Sequence, residues 1–249
     1  MLLNLALDSD DLLTIRRHAV SNAADTRTPG GVIPAIRLGR VWRVDLGVRR
    51  RTWTIAPGGD VDRADALAIR HRVYEERFGN AWPVEEDAID ARAFLCVVRL
   101  PDGRPVASLR LIGADDRPLE LDPMLPLPAL LGADARPGEL NRFAILRECR
   151  GMSTGVHMAL FQWSFALARR DQYTHFLVLA PHDVRPIYEF LLFHPVSTQR
   201  FHHPWIPAGP CTPMALELRD VGARYQAARH AFAPLLDRQD ALAPELRIG

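Results

Sequence analysis

Carboxylates and guanidiniums are interleaved with apolar runs in two stretches of the chain, residues 68–112 and 139–142. The first carries Arg70 and Tyr74, four residues apart, then Trp82, then the acids Glu85, Asp87 and Asp90, and finally Arg110 within an apolar run. The second is Glu139-Leu-Asn-Arg142, continuing as Phe143-Ala144-Ile145. A carboxylate within hydrogen-bond reach of an amine can take its proton, directly or through water. Carboxylates held close raise one another's pKa and so tune a base toward neutrality, and arginines pair with such acids and fix them. Glu85 is the first candidate for that base and Asp87 the second; two apart, they share one side of the chain if the loop is extended. A backbone N–H between Arg142 and Ile145 can polarise a carbonyl. The set is compatible with acyl transfer to an amine, which needs an activated nucleophile, a polarised carbonyl and a held leaving group. The alternative is an ion-pair network that only holds a loop.

The surrounding pattern supplies elements to position these groups. Gly39–Val48 and Thr52–Ala56 read as strands. Asp60 or Asp62 caps a helix from about Arg63 to Phe78, on which Ala66, Ile69 and Val73 recur near helical spacing and Arg70 and Tyr74 share a face. Gly79 ends it, and a loop holding Trp82 and the acids follows. Ala93–Leu100 is almost continuously apolar, a strand covered on both faces. Pro-Asp-Gly-Arg turns it into a partner strand at Pro105–Ile112. Residues 113–137 form a Pro-, Gly- and Asp-rich excursion with one helical turn. Glu139–Leu146 is a strand, Ser153–Arg170 a helix, Thr174–Ala180 a buried strand, and Asp183–Leu192 a short helix with Pro186 in its first turn. Val196–Phe201 and Pro213–Arg219 read as closing strands, Val221–Leu236 as a C-terminal helix, and Ser9 as the cap of a helix through Arg17. This order predicts an α/β chain (an α+β sandwich) with a mixed central sheet and helices on both faces. Residues 1–51 would be an N-terminal arm and 52–249 the main domain.

One spacing demands an irregularity. Glu139 and Arg142 are three apart, so a regular strand would point them to opposite faces. Both can serve one site only if a β-bulge near Asn141–Phe143 brings them together.

Composition narrows the function classes. With 48% hydrophobic and 24% charged residues, a chain of this length can bury a sizeable core. A net charge of +1 argues against a nucleic-acid partner. All 31 basic residues are arginine, which excludes lysine Schiff-base and P-loop chemistry. Cys96, Cys149 and Cys211 form no CxxC or zinc spacing, and Cys96 reads as a reduced core thiol. His202-His203 lack a third ligand, so no metal is expected, and His157 on an apolar helix is expected to be packed. No run approaches ~18 apolar residues and the N-terminus lacks a basic start. No membrane span is therefore expected, and a cytoplasmic location is. The Arg49–Arg51 run is a solvated face or a contact for an acidic partner.

Taken together, Arg70-x-x-x-Tyr74, Trp82, Glu85-x-Asp87-x-x-Asp90, Arg110 and Glu139-x-x-Arg142 with its Phe-Ala-Ile continuation resemble the acyl-homoserine-lactone synthases. These are bacterial autoinducer synthases with the GNAT acyltransferase fold, and the resemblance spans residues 63–219. Three departures stand out: Tyr74 replaces the usual Phe, Trp82 lies about two residues farther from Tyr74 than in the family, and Leu111-Ile112-Gly113 follows Arg110 where the family usually has a Pro-Thr pair. The N-acyl amino acid synthases share the fold and part of the motif set and are the close rival.

The resemblance implies an N-acyltransferase that makes an acyl-homoserine lactone, a quorum-sensing signal, from acyl-acyl carrier protein and S-adenosylmethionine, releasing methylthioadenosine. The alternatives are N-acylation of an amino acid or other amine with the same donor, and a non-catalytic GNAT-fold binding protein. Glu85, Asp87, Asp90, Arg110, Glu139 and Arg142 would be the catalytic set, with Arg70, Tyr74, Trp82, Phe143 and Ala144 around the substrates. No cofactor would be bound permanently; S-adenosylmethionine and acyl-phosphopantetheine would be substrates, and acyl carrier protein and a small amine the partners.

GNAT enzymes cradle the coenzyme A pyrophosphate with Gln/Arg-x-x-Gly-x-Gly/Ala. This chain has Glu148-Cys-Arg150-Gly151-Met-Ser153-Thr154-Gly155, with an acid at the first position and Ser153 at the second glycine. Arg150, Gly151, Ser153 and Gly155 are the expected phosphopantetheine loop. Glu148 disfavours a nearby pyrophosphate, so a carrier protein with one phosphodiester is easier to accept. Arg147, Arg150, Arg169 and Arg170 can meet that acidic partner.

Overall fold

The computed structural model describes residues 42–45, 52–57, 60–79, 88–100, 102–150, 153–202, 209–230 and 233. The helix expected from Ser9 to Arg17 and the Arg49–Arg51 run lie outside them. The described strands are β1 (Trp42–Asp45), β2 (Thr52–Pro57), β3 (Phe94–Arg99), β4 (Pro105–Ile112), β5 (Pro137–Ile145), β6 (His175–Pro181), β7 (His194–Pro195) and β8 (Cys211–Glu217). They form one sheet in the order β1-β2-β3-β4-β5-β6-β8-β7. Only β5 and β6 run parallel; the other described pairings are antiparallel. The helices are α1 (Asp60–Phe78), α2 (Leu127–Leu131), α3 (Arg147–Arg150), α4 (Ser153–Arg170), α5 (Arg185–Phe190) and α6 (Val221–Ala227). The expected mixed sheet with helices on both faces is therefore present.

Two cores flank the sheet. On one face α1 buries Ala66, Ile69, Val73 and Tyr74 against Val97, Ile112 and Ala144. On the other α4 packs against Leu109, Leu140, Phe143 and Ile145. Every residue of β5 is buried, as expected for a strand in the parallel pair, sealed on both faces. α1 is helical because its apolar residues fall on one stripe while Arg72, Glu75 and Glu76 stay on the wet side. It stops at Gly79, whose φ of +71° a residue with a Cβ rarely adopts. The β3–β4 turn is closed by Gly103 N–H to Leu100 O at 2.9 Å and by Arg104 N–H to the Asp102 carboxylate at 3.0 Å.

Three features differ from the sequence reading. The excursion after β4 contains the short α2, but its Leu119, Leu121, Leu125 and Leu127 fold back into the α1-side core. Val196–Phe201 is not a strand: β7 is only His194–Pro195, and Phe201 makes an isolated bridge to Cys211. Pro195 cannot donate to a ladder, and Ser197 Oγ captures the Gln199 N–H at 3.0 Å. Last, the helix expected to Leu236 ends at Ala227. Its final turn is closed by His230 N–H to Tyr225 O at 2.8 Å and Arg229 N–H to Gln226 O at 3.0 Å, with Arg229 left-handed at φ +49°.

Candidate active site

The expected bulge is present. Ser108 pairs with Ala144 and Arg110 with Asn141, so β5 spends one residue more than β4 between the two pairs. Arg142 sits at that step with φ +53°. A left-handed arginine costs about 1–2 kcal/mol, strain that the burial on all sides must hold. The bulge resets the alternation: Glu139 and Asn141 lie on the α1 side together with Ala144, while Phe143 turns to the α4 side and stacks on His157 at 5.4 Å. His157 is packed, as its apolar helix predicts.

β5 and β6 also part company here. Their parallel pairing runs from Pro137–His175 to Glu139–Leu177 and goes no further. Glu139 thus stands at the base of a fork, with the bulge one turn of the pleat beyond it. Backbone groups of β5 past Glu139 that face the fork have no β6 partner among the described residues.

A charged network fills the α1 side of this fork. Arg70 Nη1 donates to both Asp90 oxygens at 2.9 and 3.1 Å. Among the described residues, Arg110 donates from Nη1 to Asp90 at 3.1 Å, from Nε to Asn141 Oδ1 at 2.7 Å, and from Nη2 to Glu120. Glu139 accepts from Leu121 N–H at 3.2 Å and, at a longer 3.4 Å, from the Asn141 amide. Arg63 ties the loop down by donating to Asp90 O at 3.0 Å. Arg70, Asp90, Arg110 and Glu139 are each at most 2% exposed. A surface ion pair would contribute little; at this depth each charge depends on its partners.

Burial sets the proton affinities. Desolvation lifts the Glu139 carboxyl to about 7; Glu120's charge pushes the same way, while the Leu121 N–H and the Asn141 amide pull against it. The Arg70 guanidinium is drawn below its ordinary value by burial, opposed mainly by Asp90. The Tyr74 phenol is raised by burial, opposed first by Arg142 and then by Arg70 and Arg110. That ordering also puts the Arg142 charge on the α1 side with Glu139, as the bulge requires.

Of the residues singled out from sequence, Arg70, Tyr74, Asp90, Arg110, Glu139 and Arg142 are brought together. Trp82, Glu85, Asp87 and Gly151 lie outside the described residues. Ser153 and Gly155 are in the first turn of α4. Arg150 turns back toward the scaffold, with Nε on Ile145 O at 3.3 Å and Nη2 at 3.5 Å from Glu76 of α1; Arg147 reaches the same Glu76 at 3.4 Å. Glu148 pairs with Arg72 at 2.9 Å.

The sequence reading missed Glu120, Asn141 and Tyr188. Glu120 had one signal, an acid between Leu119 and Leu121 in an apolar alternation. Asn141 was visible between Glu139 and Arg142, but nothing gave its role as the bridge from Arg110. Tyr188, on α5, has a wholly buried hydroxyl with no hydrogen-bond partner among the described residues. Burial raises it well above the ordinary phenol value, so it keeps its proton; Tyr74 and Arg77 on α1 are its electrostatic neighbours. An Arg77–Asp183 ion pair ties α1 to the turn before α5.

A mixed sheet forking beside a bulged strand, with a long helix starting just after that strand, is the arrangement of the GNAT fold. The profile of the N-acyl amino acid synthase FeeM family matches residues 65–217, and the chain belongs to that family. FeeM, an N-acyl amino acid synthase from uncultured soil microbes, shares the fold with a TM-score of 0.59 at 14% identity, over 74% of this chain and 98% of its own. The AHL synthase LasI gives 0.51 at 14% identity over 67% and 90%. A structure assigned as an N-acetyltransferase from Lactobacillus plantarum gives 0.50 at 20% identity over 67% and 98%. No curated protein sequence matches the chain significantly. The sequence resemblance thus holds at the level of fold and acyl transfer, and the group named as the rival supplies the family. No helix among the described residues is long and apolar enough to cross a membrane.

Proposed function

We propose that the protein joins an acyl group, delivered as a phosphopantetheine thioester by acyl carrier protein, to the amine of an amino acid. The observation that carries this reading is Glu139, a carboxyl shut off from water at the β5–β6 fork with a pKa of about 7. A base in that range can strip an ammonium group near neutral pH and hold the proton afterwards. The freed amine attacks the thioester carbon, and the tetrahedral oxyanion is met by β5 N–H groups that face the fork. The C–S bond then breaks as the attacking nitrogen sheds its second proton, which ends on the departing sulfur; the Tyr188 hydroxyl, which keeps its own proton, is a candidate hydrogen-bond donor to that sulfur. No permanent cofactor takes part; both reactants are substrates.

A second reading, acylation of S-adenosylmethionine with lactone closure, is favoured by one observation. Arg70, Asp90, Arg110, Glu139 and Arg142, the set the synthase resemblance implies, converge on one side of the fork. Incubating purified protein with acyl carrier protein thioesters and each acceptor separates the two. Amide product with amino acids and no methylthioadenosine is the expected result; methylthioadenosine release supports the second reading. Tight carrier binding without turnover on any amine would sink both.

Donor choice is testable on its own. Glu148, held on Arg72, adds a negative charge beside the expected phosphate loop. Glu148→Gln is expected to raise kcat/KM for acyl-CoA relative to acyl carrier protein by roughly 3- to 10-fold at low salt, the range of one partly exposed charge. An unchanged ratio would remove Glu148 from donor selection.

A further inference from the structure

Three features of the excursion between β4 and β5 meet at the base. Its apolar residues Leu119 and Leu121 are driven into the α1-side core, which fixes the backbone between them. Leu121 N–H donates to Glu139 Oε2. Glu120 itself turns onto Arg110, a guanidinium linked to the base through a single intervening amide. Among the described residues, Glu139 receives its hydrogen bonds from the Leu121 N–H and the Asn141 amide rather than from Arg110. The Arg110 Nη1 and Nη2 are taken by Asp90 and Glu120, and its Nε by the Asn141 oxygen, whose amide nitrogen then faces the base. A guanidinium in direct contact would hold Glu139 as an ionised, poorly basic carboxylate.

We propose that Glu120 is a positioning residue for the acyl-transfer site: it anchors Arg110 away from Glu139, so that the Asn141 amide, and not the guanidinium, faces the base. This rests on Glu139 acting as base in the reading above. Among the described residues, the charged and titratable groups of the network that reaches Glu139 are Arg110 on β4, Arg70 and Tyr74 on α1, Asp90 ahead of β3, Arg142 on β5 and Glu120 itself. The paired residue on β6 is the apolar Leu177. Glu120 therefore acts twice, by holding Arg110 and by adding a like charge near the base.

The test is the pH profile of amide formation in wild type, Glu120→Gln and Glu120→Asp, alongside the carboxyl infrared band that Glu139→Gln removes. In Glu120→Gln the acid limb of kcat should move down by about one pH unit, and kcat at pH 8 should fall about tenfold with KM little changed. Glu120→Asp, which keeps the charge but shortens the reach, should shift in the same direction by less, and it serves alone if the Gln variant does not fold. A lower kcat with an unmoved pH profile and unmoved Glu139 band in the folded variants would overturn the proposal. The band needs no turnover. A band that moves in a protein that acylates no amine would leave Glu120's role standing and discard the functional reading instead.

Discussion

Replacing Glu139 with glutamine is expected to lower amide formation roughly 100- to 10,000-fold, the span of a lost general base, while making the protein more stable at neutral and alkaline pH. The two effects have one cause. Glu139 is wholly buried, and its carboxyl titrates at about 7 against an ordinary value of 4.5. A raised carboxyl means that the folded state holds the proton more tightly than the unfolded chain. Its contribution to stability is complete below about pH 4.5, is lost as pH rises through about 7, and changes little beyond. At high pH the wild type thus carries a buried charge whose cost is on the order of 3 kcal/mol by linkage. Glutamine has nearly the same shape and never ionises. Melting wild type and variant from pH 4 to 9 should show a gap that opens between about pH 4.5 and 7.5 in favour of the variant. The Leu121 N–H complicates the absolute level, because an amide nitrogen cannot accept its hydrogen bond, but not the slope. A pH-independent gap would show that Glu139 does not titrate where its burial puts it. Glu85→Gln is the companion variant: a deeper loss of activity there than at Glu139 would move the base to the loop.

Much of this site could be read before the fold was known, because its residues obey local rules. Arg70 and Tyr74 are four apart on a helix, so they had to share a face. Glu139 and Arg142 are three apart on a strand, so either the site was wrong or the strand was irregular. The register step at Arg142 decided for the second. The parts that escaped depend on where chain segments land. Leu119 and Leu121 alternate like a strand within a Pro- and Asp-rich excursion, and only their packing into the α1-side core folds them inward and carries Glu120 to Arg110. Arg150 stands in a Gly-containing loop, a place that suggests a phosphate ligand. Its partner Glu76 is far away in sequence and adjacent only because α1 crosses over β5. No Val196–Phe201 strand forms because Pro195 and the Ser197 hydroxyl disrupt the ladder, although the segment's apolar pattern suggests one.

The largest stability effect should come from Asp90→Asn, expected to cost roughly 3–5 kcal/mol and to lower Tm by roughly 10 °C or more for a chain of this size. Asp90 is the shared anion of two buried guanidiniums. Asparagine preserves its outline, but it neutralises the charge and turns an N–H₂ toward a cation. The two arginines do not suffer equally. Arg110 keeps Glu120 and the Asn141 oxygen. Arg70 has its Nη1 on Asp90 and no hydrogen-bond partner for Nε or Nη2 among the described residues. Most of the penalty should therefore be the uncompensated Arg70 charge, and removing that charge should relieve it. Arg70→Met alone strands Asp90 less severely, because Arg110 still reaches it. Chemical denaturation of both singles and the Asp90→Asn/Arg70→Met double should give a coupling energy of about 2 kcal/mol or more, with the double more stable than Asp90→Asn alone. Additive losses below about 1 kcal/mol each, the behaviour of an exposed pair, would mean that water reaches the network. The sealed fork on which Glu139's proton affinity depends would then not exist in solution.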